Sequence, residues 1–268
     1  MTSSNCRARF QSLFLGAAVM VLGISIFGCS SNKENSEGVP DSNSGGRPVD
    51  ESVAGSVTGA VKFEGTPPKV RTINMASVPS CNSQHTSPVT TEDVVLGDQG
   101  TLQNVVVYLK GDFSQYSFPR SAAPVKVDQK GCLYTPHVAA LMTGETLQVT
   151  NSDLATHNVN AMAKNNRPWN ESEAPGTATI NQQFAREEVA IRVKCNVHTW
   201  MKLYVAVLRH PYFQVTGKDG SFALKNVPPG KYTLIAWHEL YGTREQEITI
   251  DPKQERSVTL TFTGRDRQ

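Results

Sequence analysis

Residues Ile191 to Val207 read IRVKCNVHTWMKLYVAV. Val189, Ile191, Val193 and Cys195 share one parity, while Arg192 and Lys194 take the other, which predicts a strand with one face inward and one in water. The Cys195 side chain is then expected to point to the interior at a strand end. A second run of the same kind, Lys202 to Leu208, follows a short turn that carries His198 and Met201. Two strands and a chemically loaded turn therefore occupy the whole stretch.

Working outward, the same alternation recurs. Val57, Gly59, Val61 and Phe63 oppose Thr58, Ala60 and Lys62. Comparable runs are Asn104 to Lys110, Thr146 to Asn151, Glu188 to Lys194, Ser221 to Leu224, Lys231 to Trp237, Gln246 to Ile250 and Ser257 to Phe262. Gly, Pro, Asn and Asp punctuate them, and no long helical period interrupts them, so the fold class expected is all-β, built as β-sandwiches. Asn165 to Gln183, rich in Pro and Asn, reads as a long loop.

The chain has 268 residues, comfortable for two domains, and is 38% hydrophobic and 19% charged, which excludes a coiled coil and a wholly disordered chain. Its formal charge of +2 is due to Arg7 and Arg9 near the N-terminus, so no basic excess remains for phosphate contacts and nucleic acid is excluded as a partner. Those arginines precede an apolar run, Leu13 to Phe27, shorter than the roughly 20 residues a spanning helix needs. Residues 1–28 thus have the layout of a signal peptide. Ile26-Phe27-Gly28-Cys29-Ser30 resembles a bacterial lipoprotein box, which implies lipidation of Cys29 and a place in the bacterial cell envelope, on the periplasmic or outer-membrane face. The alternative is an ordinary secretory signal. Residues 29–54 lack apolar periodicity and read as a disordered tether between membrane and folded body.

The run VTGKDGSFALKNVPPGKYTLIAWHE, Val215 to Glu239, resembles the carboxypeptidase regulatory-like, or transthyretin-like, module. The opening strand of that module looks like Gly55 to Val61, and its next core strand like Asn104 to Lys110. The resemblance implies one sandwich from residues 55–112 plus 211–264, with a second domain, 113–210, inserted at a loop. Three modules in sequence is the alternative.

Within residues 113–210, Gly144 to Ala161 and Ile191 to Val207 bring His157, Cys195, His198 and Met201 into the account. One thiolate, two imidazoles and a thioether form the ligand set of a blue-copper site. The strand, the Asn-Ser-Asp turn, His157-Asn158 and the C-x-x-H-x-x-M loop are similar to the cupredoxins of the amicyanin and plastocyanin type. That resemblance implies a Greek-key sandwich, one type 1 copper per chain on His157, Cys195, His198 and Met201, and hydrogen-bond support of the ligand loop by Asn158. It also implies His198 facing solvent as the electron port, single-electron transfer rather than catalysis, and redox partner proteins such as c-type cytochromes. Trp200 reads equally as a docking patch or as packing. Copper storage or delivery, and a cell-surface binding module with a structural copper, are the alternative functions.

Five cysteines leave Cys81 and Cys132 once Cys6, Cys29 and Cys195 have been assigned. In an oxidising compartment a disulfide between them is expected. The alternative is a second metal site, since His85 and His137 follow at zinc-compatible spacings. His210 and His238 have no partner cluster in sequence and read as structural. No G-x-S-x-G, Walker A loop or C-x-x-C-H haem motif is present.

Overall fold

A computed structural model describes residues 45–266 of the chain. The expected signal peptide, Cys29 and the expected tether up to residue 44 lie outside the described residues. In chain order the elements are β1 (Gly55–Glu64), α1 (Pro79–Asn82), β2 (Val106–Lys110), β3 (Val125–Lys130), β4 (Leu133–Thr135), β5 (Val138–Met142), β6 (Thr146–Asn151), β7 (His157–Met162), β8 (Trp169–Glu173), β9 (Ile180–Gln183), β10 (Glu188–Lys194), β11 (Lys202–Leu208), β12 (Phe213–Val215), β13 (Ser221–Val227), β14 (Gly230–His238), β15 (Gly242–Ile250) and β16 (Glu255–Thr263). The protein is all-β. Among the described residues no helix is long and apolar enough to cross a membrane.

Four sheets form two layered pairs. Sheets β13-β1-β16 and β12-β2-β14-β15 close on one core, which holds Val57, Val61, Leu109, Leu234 and Phe262. Sheets β5-β11-β10-β7-β8 and β4-β3-β6-β9 close on a second, which holds Val127, Leu147, Val159, Ile191 and Leu203. Alternation supplies the inward face in each case, because successive side chains on a strand point to opposite sides. Strand β1 pairs antiparallel with β13 and parallel with β16. Gly59 permits that close approach, since a Cβ there would sit 1.8 Å from the carbonyl oxygen of Val258. The two sandwiches meet through a third apolar cluster, Val106 on β2 with Val138, Ala206 and Leu208 on β5 and β11.

Three sequence expectations are corrected here. Residues 45–54 are not tether: the Arg47 N–H donates to the Gln115 carbonyl at 3.0 Å, its carbonyl accepts from the Ser117 N–H at 2.9 Å, and its guanidinium lies over Tyr116. The aromatic edge at Tyr116 and Phe118 gives this polar stretch a surface to order against. Residues 165–183 are not one long loop, because β8 and β9 lie within them. Both strands are pleated edges with polar side chains, so they lack the apolar alternation that marks a strand in sequence. The stretch joining β1 to β2 leaves its sandwich, with Met75 and Cys81 buried in the second core.

Candidate metal centre

Backbone pairing assembles this site. Strand β10 runs antiparallel to β7, with Lys194 opposite Asn160, so Cys195 emerges beside the start of β7, where His157 sits. Strand β10 also pairs with β11, with Lys194 opposite Lys202. The residues between form a closed loop in which the Cys195 N–H donates to the Met201 carbonyl at 3.2 Å and the Met201 N–H donates to the His198 carbonyl at 2.9 Å. Parity is not continuous along β10. A bulge between Glu188 and Ile191, with Ala190 at φ +70°, sends Val189 to the cluster between the sandwiches while Ile191, Val193 and Cys195 face the second core.

Ligand atoms of His157, Cys195 and His198 lie within 4.8 Å of one another, and all three residues are buried. The Nδ1 atoms of the two histidines are 3.0 Å apart. The Cys195 sulfur is 3.9 Å from His198 Nδ1 and accepts the His198 backbone N–H at 3.3 Å. Met201 is buried in the same cluster. Burial opposes ionisation of the Cys195 thiol, but hydrogen bonds from His157 and from the backbone N–H groups of His198 and Val197 outweigh it and bring its pKa below the ordinary range. Burial also disfavours charge on His157, yet Cys195 and Asp153 reverse the sign and raise its pKa. For His198, burial and then the neighbouring His157 both lower it, which favours the neutral imidazole with one ring nitrogen's lone pair to offer. The donor set is soft and mixed, one sulfur and two imidazole nitrogens beside a buried thioether, and it fits copper.

Asn158 braces the loop. Its Oδ1 accepts the Asn196 N–H at 3.3 Å, and its Nδ2 donates to Asn170 Oδ1 at 2.8 Å and to the Glu171 carbonyl at 3.0 Å. Sequence reasoning passed over Asp153, whose carboxylate accepts from His157 Nε2 at 2.8 Å; the Asp-x-x-x-His spacing was the available signal. It also passed over Tyr134, whose hydroxyl donates to the Asn158 carbonyl at 2.5 Å.

Cys81 and Cys132 form a disulfide. The second metal set is not assembled: His85 Nε2 bonds to the Gly131 carbonyl oxygen at 2.8 Å, and His137 Nε2 bonds to Glu239 at 2.5 Å. His198 does not face solvent as expected. It is only 3% exposed, with the Trp200 ring 5.3 Å away and the disulfide sulfurs within 4.8 Å of it. The cause is the β1–β2 connection, drawn over this end of the sandwich by Cys81. Trp200 is packing: its indole N–H donates to the Cys132 carbonyl at 3.0 Å, and it lies against the second core. The exposed apolar side chains beside the site are Val197 and Leu154.

Residues 205–263 match the model of the carboxypeptidase regulatory-like domain. That stretch includes five of the seven strands of the first sandwich, β12 to β16, and β1 and β2 complete it. Among solved structures, the chain is similar to a Cu(I) form of an amicyanin mutant at 18% identity, covering 31% of this chain and 80% of that one with a TM-score of 0.27. It is similar to a purple cupredoxin from Nitrosopumilus maritimus at 20% identity, covering 31% and 97%, TM-score 0.27. It is also similar to a Cu-containing nitrite reductase from Thermus scotoductus SA-01 at 18% identity, covering 37% of this chain, TM-score 0.30; the match spans about a quarter of the reductase. Comparison with curated proteins finds no match.

Proposed function

We propose that this protein is a lipid-anchored, extracytoplasmic carrier of single electrons, with one type 1 copper held by His157, Cys195, His198 and Met201. The observation that carries the reading is the convergence of a thiol and two imidazole Nδ1 atoms within 4.8 Å, inside a core rather than on a surface. Bound in such a set, copper would supply a one-electron couple. The chain supplies the rest. Asn158 and the backbone bonds of Cys195 and Met201 hold the loop at one geometry, so reorganisation on electron transfer is small. Burial of the donors excludes water. The three donor atoms converge inside a core, with the Met201 side chain buried in the same cluster, which favours a carrier over an open catalytic site. Burial of His198 under Trp200 and the disulfide favours retention of the metal over delivery. Electrons then reach a redox partner, such as a c-type cytochrome, through the surface where Val197 and Leu154 are exposed. Cys29 and residues 30–44 would tether the body to the membrane.

The test is spectroscopic. Residues 30–268 mixed with Cu(II) should develop an intense visible thiolate-to-copper band that Cys195→Ala abolishes. A colourless wild-type protein, or a band that survives that substitution, overturns the assignment.

A further inference from the structure

Asp153 sits between β6 and β7, four residues before His157, and both side chains are wholly buried. Each of its oxygens is engaged. Oδ1 accepts the Gly131 N–H at 2.7 Å, and Oδ2 accepts the Cys132 N–H at 2.7 Å and His157 Nε2 at 2.8 Å. The two backbone donors come from the corner between β3 and β4, where Gly131 and Cys132 both have positive φ, +64° and +54°. Successive N–H groups turned the same way make a concave anion seat. The carboxylate is therefore held by a corner of the fold that contributes no candidate ligand, and it holds His157 in turn.

Two consequences follow from elementary chemistry. A carboxylate only accepts hydrogen bonds, so the proton of a neutral His157 ring must lie on Nε2, leaving the lone pair on Nδ1. Nδ1 is the atom that faces His198 Nδ1. The carboxylate also faces one candidate ligand from a buried position, and negative charge placed there favours the more positive of two metal oxidation states.

We infer that Asp153 is a positioning residue of the copper site, one that selects the Nδ1-donor tautomer of His157 and lowers the reduction potential by favouring the cupric state. The inference rests on the copper reading above, and its experiment separates the two.

Full-length wild-type protein, Asp153→Asn and Tyr134→Phe are loaded with copper and titrated spectroelectrochemically. Tyr134→Phe removes a buried hydrogen bond next to the site without changing charge, so it reports what mere loosening does. Asp153→Asn is expected to keep the visible band, to bind copper 10- to 100-fold more weakly, and to shift the Cu(I)/Cu(II) ratio at least tenfold toward Cu(I). Tenfold corresponds to about 59 mV upward for a one-electron couple. Tyr134→Phe should lose stability and leave the potential in place. An unchanged potential in Asp153→Asn, or an equal rise in Tyr134→Phe, overturns the inference. If Asp153→Asn does not fold, nitrogen NMR of His157 in the copper-free wild-type chain decides: a proton on Nε2 is expected, and a ring protonated at Nδ1 alone refutes it. A wild-type protein with no band sinks the copper reading, while the NMR result still judges Asp153.

Discussion

His157 Nδ1 and His198 Nδ1 face each other at 3.0 Å across 41 residues of chain. Nothing local brings them together. Strand β7 presents the first, the loop after β10 presents the second, and the β7–β10 pairing makes them neighbours. The precision of the site is thus set by sheet register, and a one-residue slip would turn either side chain away.

Asn158 is the brace most exposed to test. Asn158→Ala removes the acceptor for the Asn196 N–H and the donor to Asn170 and Glu171. The expected result is a loss of about 1–3 kcal/mol in urea unfolding. Copper should also pass faster to an external chelator, measured as decay of the visible band.

The disulfide closes a separation of 51 residues and fastens the β1–β2 connection over His198. Replacing both cysteines, Cys81→Ser with Cys132→Ser, is expected to cost about 4 kcal/mol on loop-entropy grounds. Chemical denaturation measures this, with wild-type protein in a dithiol reductant as the parallel. The uncovered His198 should then react faster with an imidazole-acylating reagent, read by mass spectrometry of the 195–202 peptide.

His210 and His238 bear on the first sandwich. Burial lowers both, to about 4, against an ordinary value of 6.5. The unfolded chain therefore takes up protons at a higher pH than the folded one. Stability from these residues is complete above about 6.5 and is lost as pH falls toward 4, each contributing roughly 3 kcal/mol at most. Urea midpoints measured from pH 7 to 4 should fall accordingly, and His210→Gln should flatten part of that slope. An unchanged slope in that variant would contradict the burial argument.

The strands with an apolar face were legible because one-sided burial leaves a period of two in the sequence, as along Val57 to Phe63 and Asn104 to Lys110. Polar edge strands such as Trp169–Glu173 left no such trace, since little on them is buried. The bulge at Ala190 was invisible for another reason: its positive φ comes from how β10 must reach two cores, not from the residue type.

By itself the sequence determined the all-β class and the chemical kinds of donor, one thiol, two imidazoles and a thioether at fixed spacing around a loop. Those properties are local, carried by side-chain type and parity. Only the tertiary structure decided that His198 is covered and that Asp153 reaches both His157 and the corner at residues 131–132. Each of these depends on packing between segments distant in sequence, and no composition or spacing within a single segment encodes it.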